Sequence, residues 1–455
     1  MRLAAIIFAA GLCLILPGNL KANEVRALQQ ILSDRNCEPG PIDGLWGGMT
    51  AAALERMNAQ ADLQISRPIS DSDIAALEAS EARCVTWADM AVHVFDASAM
   101  AENVTRNGDD YCRLGNWDSF LGPAQDAVVH QSLRIEGEDL AFYLANAEPY
   151  MNRLLRLNVM ALRDSDYDAL RTRFMDVIDN DGFTRLERYR PTMWHGERVD
   201  WIGWYARNMS MAEPAYYAAL LMTVMAQSYG ILRDHLSEEE RAAARAWGER
   251  IHRASDLREV RSERWADRRA AKAAGYTMWG AAVGDRRIFD RGVALFREGV
   301  HNIRADGSES DFVGPSAHRG TELRYQHMTY ALLSMAAWAM EKTGEPAFDY
   351  ARRGRGSLID GINFHLEQSF DPESRRRMQR DQIDTFWVER ARNLTDLSLA
   401  FSEFLVDAGL TTDQIPLLDD ALTRRRFGSP QGFFGSHHGG YASCLFAQQE
   451  TAARD

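Results

Sequence analysis

Apolar residues recur along this chain at the three-and-four spacing of an α-helix and show no repeated alternation of half-buried strands. Val25, Leu28 and Leu32 form such a stripe within "EVRALQQILSDRN". Longer helical segments are predicted over 140–162, 213–232, 237–254, 285–303, 320–344 and 392–410. Ser237 and Glu240 have the spacing of a capping box, and Gly344, ahead of Pro346, ends the helix before it. Thr50 is placed to cap a helix over Ala51–Met57. Helices of this length on short joins predict a mainly α protein built as a toroid or bundle.

The 455 residues, 46% hydrophobic, suffice for a large core in more than one domain. Residues 1–22 read as a secretory signal peptide. Arg2 is its charged start, Leu3–Leu16 its apolar run and Leu20-Lys21-Ala22 its cleavage site. That run is too short to span a bilayer comfortably. Leu12 before Cys13 argues against lipid attachment, and no later stretch reads as a membrane span. The expectation is an exported protein, periplasmic or extracellular, without membrane insertion.

The formal net charge is −13, and losing the signal removes two further cations, Arg2 and Lys21. So acidic a chain is a poor nucleic-acid binder. It can still hold an anionic polysaccharide if its basic residues gather in one cleft. The densest run is Arg258–Arg269, "REVRSERWADRR", and a solvated helix face of mixed charge is the competing reading.

Cys37, Cys84, Cys112 and Cys444 remain after export. Four cysteines in an oxidising compartment suggest two disulfides, with three possible connectivities. Cys37–Cys84 and Cys112–Cys444 are expected, because each pair closes within one proposed domain. No CxxC pattern points to a thiolate zinc site, and neither metal nor cofactor is expected. A monomer is expected.

Residues 23–85 stand apart as a first domain, followed by a second over 86–455. In the first, "CEPGPIDGLWGGMTAAALERM" packs turn signals between two helices. Gln29, Leu32, Gly40, Asp43, Gly44, Gly47, Thr50 and Leu54 match the pattern of the small peptidoglycan-binding domain, so the segment resembles that family. The resemblance implies a small three-helix fold and peptidoglycan as a partner, although such modules also serve as spacers.

The chemistry concentrates in "IRADGSESDFVGPSAHRGTELRYQHMTYALLSMAAWA", residues 303–339. It reads as a turn over Ala305-Asp306-Gly307, a polar loop with His318 and Arg319, then a helix opening with Tyr325 and His327. A cation, a phenol and imidazoles at a helix entrance suit β-elimination on a uronic acid sugar. One group neutralises the carboxylate while another moves a proton. The segment resembles the all-helical alginate lyase family of polysaccharide lyases, whose "I-x-x-D-G-x-x-P-x-E-L-x-R" run leads into "R-A-L-x-Y-H". The likeness is clearest over 210–345 and implies an (α/α) toroid. It also implies that Tyr325 is the catalytic tyrosine and Arg319 the carboxylate-binding arginine. The competing reading of Tyr325 is a core residue packed with Met328, Thr329 and Leu332. For His318 and His327, substrate binding competes with a helix-surface or capping role.

The family's second motif, "N-N-H-x-x-W", precedes a "D-R-x-L-F-D" run that Asp285–Asp290 matches well. Counting back places the Asn-Asn-His positions on Ala266, Asp267 and Arg268, so the histidine is absent. Either Arg268 or Arg269 takes over carboxylate neutralisation, or another histidine enters from elsewhere. In "MWHGERVDWIGWYARNMSM" (193–211), Trp194, Trp201, Trp204 and Tyr205 can stack on sugar rings, with His195 and Asn208 directed into the groove. A Trp-rich loop packed on the toroid is the alternative. "GSHHGGYASC" (435–444) resembles the Gly-rich C-terminal strand of these lyases. His437 and His438 are adjacent without a paired HxxxE-type motif, so a tail held by Cys444 is favoured over a metal site.

Three functions compete. The first is a secreted lyase acting on a 4-linked polyuronate such as alginate or glucuronan. A peptidoglycan hydrolase is the second, requiring a zinc triad, a Cys-His pair or an acidic dyad that no motif singles out. The third is a non-catalytic glycan-binding protein whose toroid has lost its histidine.

Overall fold

A computed structural model describes residues 22–84, 87, 91, 93–111, 140–179, 193–194, 197–198, 212–255, 266–309, 322–371, 401–425 and 442–446. The chain divides into two compact units, Met1–Asp89 and Met90–Asp455.

The first unit contains three helices, α1 (Ala22–Asp34), α2 (Gly48–Ala61) and α3 (Asp71–Ala79). Leu28, Leu32, Leu54, Met57 and Leu77 close its core around a Cys37–Cys84 disulfide. Buried Gln29 pins the turn between α1 and α2. Its Nε2 donates to Asp43 Oδ1 (3.2 Å), Leu45 O (3.0 Å) and Thr50 Oγ1 (3.2 Å), while Gly44 N donates to its Oε1 (2.9 Å). Gly44 sits at φ +78°, and a Cβ there would press on Ala22 O, so glycine is required. The residues that carry the resemblance therefore hold the turn together. Thr50 is not the expected cap: α2 starts at Gly48, and the Thr50 hydroxyl is turned inward to Pro39 O.

The second unit is helical. In chain order it contains α4 (Ala97–Tyr111), α5 (Leu140–Asp164), α6 (Asp168–Asp179), α7 (Ala212–Leu232), α8 (Glu238–Ser255) and α9 (Ala266–Val283). There follow α10 (Arg286–Val300), α11 (Glu322–Lys342), α12 (Leu358–Phe370), α13 (Ser402–Asp407), α14 (Leu418–Arg425) and α15 (Ala442–Phe446). A two-residue ladder pairs β1 (Met193–Trp194) antiparallel with β2 (Glu197–Arg198).

Two kinds of helix alternate from α7 to α12. Wherever their side chains are described, α7, α9 and α11 are buried almost all round, as expected of inner helices. Helices α8, α10 and α12 bury one stripe and expose the other face. Trp247 meets Trp279 and His252 meets Tyr276, so α8 runs antiparallel to α9. Gly280 abuts Phe289 and Gly292 abuts Thr277, so α10 is antiparallel to α9 as well. Contacts of α7 with α9 advance together from Tyr216–Arg268 to Tyr229–Trp279, which makes those two parallel. Inner and outer helices alternating in this way are the construction of an (α/α) toroid.

Ser237 and Glu240 form the expected capping box at α8. Gly344, at φ +75°, follows the end of α11. Two expectations are corrected. Over Ala215–His235, most of it α7, the chain is long and apolar enough to cross a membrane, yet Ala215–Leu232 is buried inside this unit as a core helix. Residues 442–444 are helical, not strand, because they open α15, which packs Phe446 against Trp338 and Phe404.

Candidate functional site

The first turns of α9 carry three cations that meet three different neighbouring helices. Arg268 Nη1 pairs with Asp267 Oδ2 at 3.1 Å, and its guanidinium lies 5.5 Å over the Tyr216 ring of α7. Arg269 is buried against α10, donating to Glu298 O at 3.3 Å. Lys272, fully buried, donates to Ser255 O at the end of α8. Arg268 and Arg269 therefore do not form one patch: Arg269 supports the α9–α10 packing, and Arg268 keeps partial exposure beside α7.

Tyr325 lies in the first turn of α11, which packs along α9. It is half-buried, whereas every residue from Gln326 to Met340 is buried. Tyr325 thus stands where the helix passes into the core.

His327 is neither on the helix surface nor at a cap. It is fully buried, its Nδ1 2.8 Å from Nε2 of His365 on α12, with the Phe401 ring edge-on at 5.4 Å. In a hydrogen bond between two imidazoles one nitrogen donates and the other accepts. Burial, followed by the neighbouring His327, pushes the His365 pKa well down, so His365 stays neutral. Ser369 Oγ lies 3.3 Å from the same Nε2.

One helical turn further on, Tyr330 donates to Gly307 O at 3.0 Å. Burial and the nearby Glu309 raise its pKa. That bond ties α11 to the predicted Ala305-Asp306-Gly307 turn. Asp306 Oδ1 accepts from Ser308 N (3.0 Å) and Ser308 Oγ (2.7 Å), which holds the Asp306 carboxyl below its usual range. Gly307 takes φ +81°, and a Cβ there would collide with Asp360 O. A rigid base is thus set where the chain leaves for the segment bearing His318 and Arg319.

His318, Arg319, His195, Trp201, Trp204 and Asn208 lie outside the described residues, as does Cys112. Cys444 is disulfide-bonded to a cysteine that also lies outside them. Among the described residues, no group of three or more His, Cys, Asp or Glu side chains is arranged to hold a metal ion. The sequence reading missed His365 and Tyr216. His365 shares a stripe with Leu358, Ile362 and Leu366, and a histidine on an apolar stripe is the signal that could have found it.

These features define an all-helical toroid of the kind found in polysaccharide lyases. The pattern of the Alginate lyase family matches residues 204–375, which span α7 to α12 and include Arg268, Arg269 and Tyr325. The family match indicates a polysaccharide lyase. The fold is similar to that of alginate lyase A1-III from Sphingomonas species A1, at 12% identity and TM-score 0.52 over 79% of this chain and 96% of that one. It is also similar to two variants of alginate lyase A1-III complexed with tetrasaccharide. One, with tyrosine replaced by phenylalanine, gives 13% identity and TM-score 0.51; the other, with histidine replaced by alanine, gives 14% and 0.52. Both alignments cover the same shares of the two chains. No curated protein matches the sequence.

Proposed function

We propose that the protein is an exported lyase that cleaves a 4-linked polyuronate, alginate first and glucuronan as the alternative, by β-elimination. The observation that carries this reading is the family match over the segment holding both Arg268 and Tyr325. In the proposed reaction Arg268, aided by Arg319, neutralises the sugar carboxylate, so that the C5 proton becomes removable. Tyr325 takes that proton, the C4–O bond breaks as C4=C5 forms, and the departing oxygen receives a proton from the same phenol. Asp267 and Tyr216 hold Arg268 in place. Arginine suits the vacant histidine position because its planar fork matches a carboxylate. The first unit is proposed to retain the enzyme on peptidoglycan.

The direct test is incubation with polymannuronate, polyguluronate and glucuronan while ultraviolet absorbance is followed. Elimination creates a conjugated unsaturated uronide that absorbs, whereas hydrolysis and simple binding do not. Release of reducing ends without absorbance would replace the lyase reading by a hydrolase.

A further inference from the structure

The connection from α11 to α12 gathers cationic side chains that the reaction above leaves unused. Its sequence over 345–357 is "EPAFDYARRGRGS". Backbone bonds make it a built turn: Arg355 N donates to Arg352 O at 2.8 Å, Gly356 N donates to Ile303 O at 3.2 Å, and Ala351 bridges Ser357. Gly354 supplies the left-handed residue at φ +74°. Arg352, Arg353 and Arg355 are all exposed on this turn and form no side-chain ion pair among the described residues.

Tyr350 stands beside them, half-buried and fixed. Its hydroxyl is 2.8 Å from His301 Nε2, and the Arg297 guanidinium lies 5.3 Å over its ring. Of the nearby acids, Glu345 is occupied by Arg297, while Glu298 and Asp349 are exposed. His301 reads the balance. Burial first and the Arg352 charge second lower its pKa, Arg297 and Arg355 act in the same direction, and Glu298 opposes them. A cationic field therefore prevails locally in a chain whose net charge is −13.

We propose that Arg352, Arg353 and Arg355, with Tyr350, form a second binding surface for carboxylate-bearing polysaccharide, distinct from the reaction site at Tyr325 and Arg268. Guanidinium forks suit successive carboxylates, and the partly exposed Tyr350 is held beside them by His301 and Arg297. Gly361 packs on Tyr330, so the turn ahead of α12 lies further toward the C-terminal end of α11, on the order of 10 Å along its axis from Tyr325. A polymer held at both places gains affinity that a short oligomer cannot. The choice of a polyuronate rests on the lyase reading.

The test uses affinity electrophoresis of the full chain, in a Tyr325→Phe background, through gels containing alginate, carboxyl-reduced alginate or DNA. The triple variant R352S/R353S/R355S should be retained by alginate at least about fivefold less than its parent, and R352E alone should shift the same way. Carboxyl-reduced alginate should not discriminate between variant and parent. Should the triple variant lose its circular dichroism spectrum, R352E carries the comparison. Unchanged retention on alginate, or an equal loss on DNA, would overturn the proposal. Ultraviolet assay of the wild-type protein on the same alginate separates the two ideas. Arginine-dependent retention without absorbance refutes the lyase and leaves the surface standing, whereas absorbance with arginine-independent retention does the reverse.

Discussion

Tyr325 and Arg268 are the two side chains on which the proposed reaction turns, and each can be removed without carving the core. Tyr325→Phe keeps the half-buried ring and deletes only the hydroxyl. Turnover should fall by at least about 100-fold, with folding and polysaccharide binding retained. Near-normal turnover in a folded variant would take Tyr325 out of the mechanism. The two arginines should separate cleanly. Arg268→Ala should cost roughly 2–4 kcal/mol in kcat/KM, the range for losing one transition-state charge partner. Arg269→Ala should instead lower stability, by about 1–3 kcal/mol in urea denaturation, because it leaves Glu298 O without its donor and opens buried packing. The sequence brought both residues forward through a motif whose histidine is missing, but could not say which of them stays partly exposed. That choice depends on which neighbouring helix each side chain meets, Tyr216 on α7 or Glu298 on α10. His327 was legible as a candidate but not as a buried partner of His365, because the two lie 38 positions apart.

The helices themselves were legible where a stripe or an unbroken apolar run marked them. Helix α10 follows its predicted stripe, and α7 shows as a continuous apolar stretch. Helix α9 was hidden for a physical reason. An inner helix has no polar face to give it a period, and its buried Asp267, Arg269 and Lys272 look like solvated charges in one dimension. Partners make that burial tolerable: Arg268 on the same helix for Asp267, and carbonyls of α10 and α8 for Arg269 and Lys272. The join of α11 to α12 carries the same kind of hidden cost through His327 and His365. In the unfolded chain His365 binds a proton near its ordinary pKa of 6.5, whereas in the native helix pair that pKa lies well below. Below pH 6.5 the unfolded state therefore binds more protons, so stability is complete above that pH and declines as pH falls toward the native value. Urea denaturation at about pH 5.5 should show a loss of roughly 1 kcal/mol relative to pH 7.5, reduced in His365→Gln. An equal loss in wild type and variant would shift the cause to other groups. Gly307→Ala should destabilise the same region by roughly 1–3 kcal/mol, since alanine is strained at φ +81° and its Cβ meets Asp360 O. A thermal melt that stays within a degree of wild type would show that the turn can shift.

The whole chain separates into two units that each satisfy their own needs. The first closes its core with leucines from all three helices and its own Cys37–Cys84 bond. The second holds Arg268, Tyr325 and the histidine pair. In the first unit, Gln29 and the left-handed Gly44 serve the turn, so its pattern in the sequence reports a fold more directly than a ligand. Binding must be carried by what that turn displays. Its exposed apolar side chains are Ile42, Leu45 and Met49, the large ones exposed among the described residues. Deleting residues 23–85 should therefore leave the second unit folded, with cleavage of soluble polyuronate within about twofold of the full protein. Retention on isolated cell walls should be lost. Replacing Leu45 and Met49 by serine in the full chain should reproduce that loss without unfolding the unit, because neither side chain is counted in its core. Sedimentation with purified walls measures retention, and ultraviolet absorbance measures cleavage. A truncated protein that folds but cannot cleave soluble polymer would assign the first unit to the reaction site, and wall retention that survives the deletion would move the binding surface into the toroid.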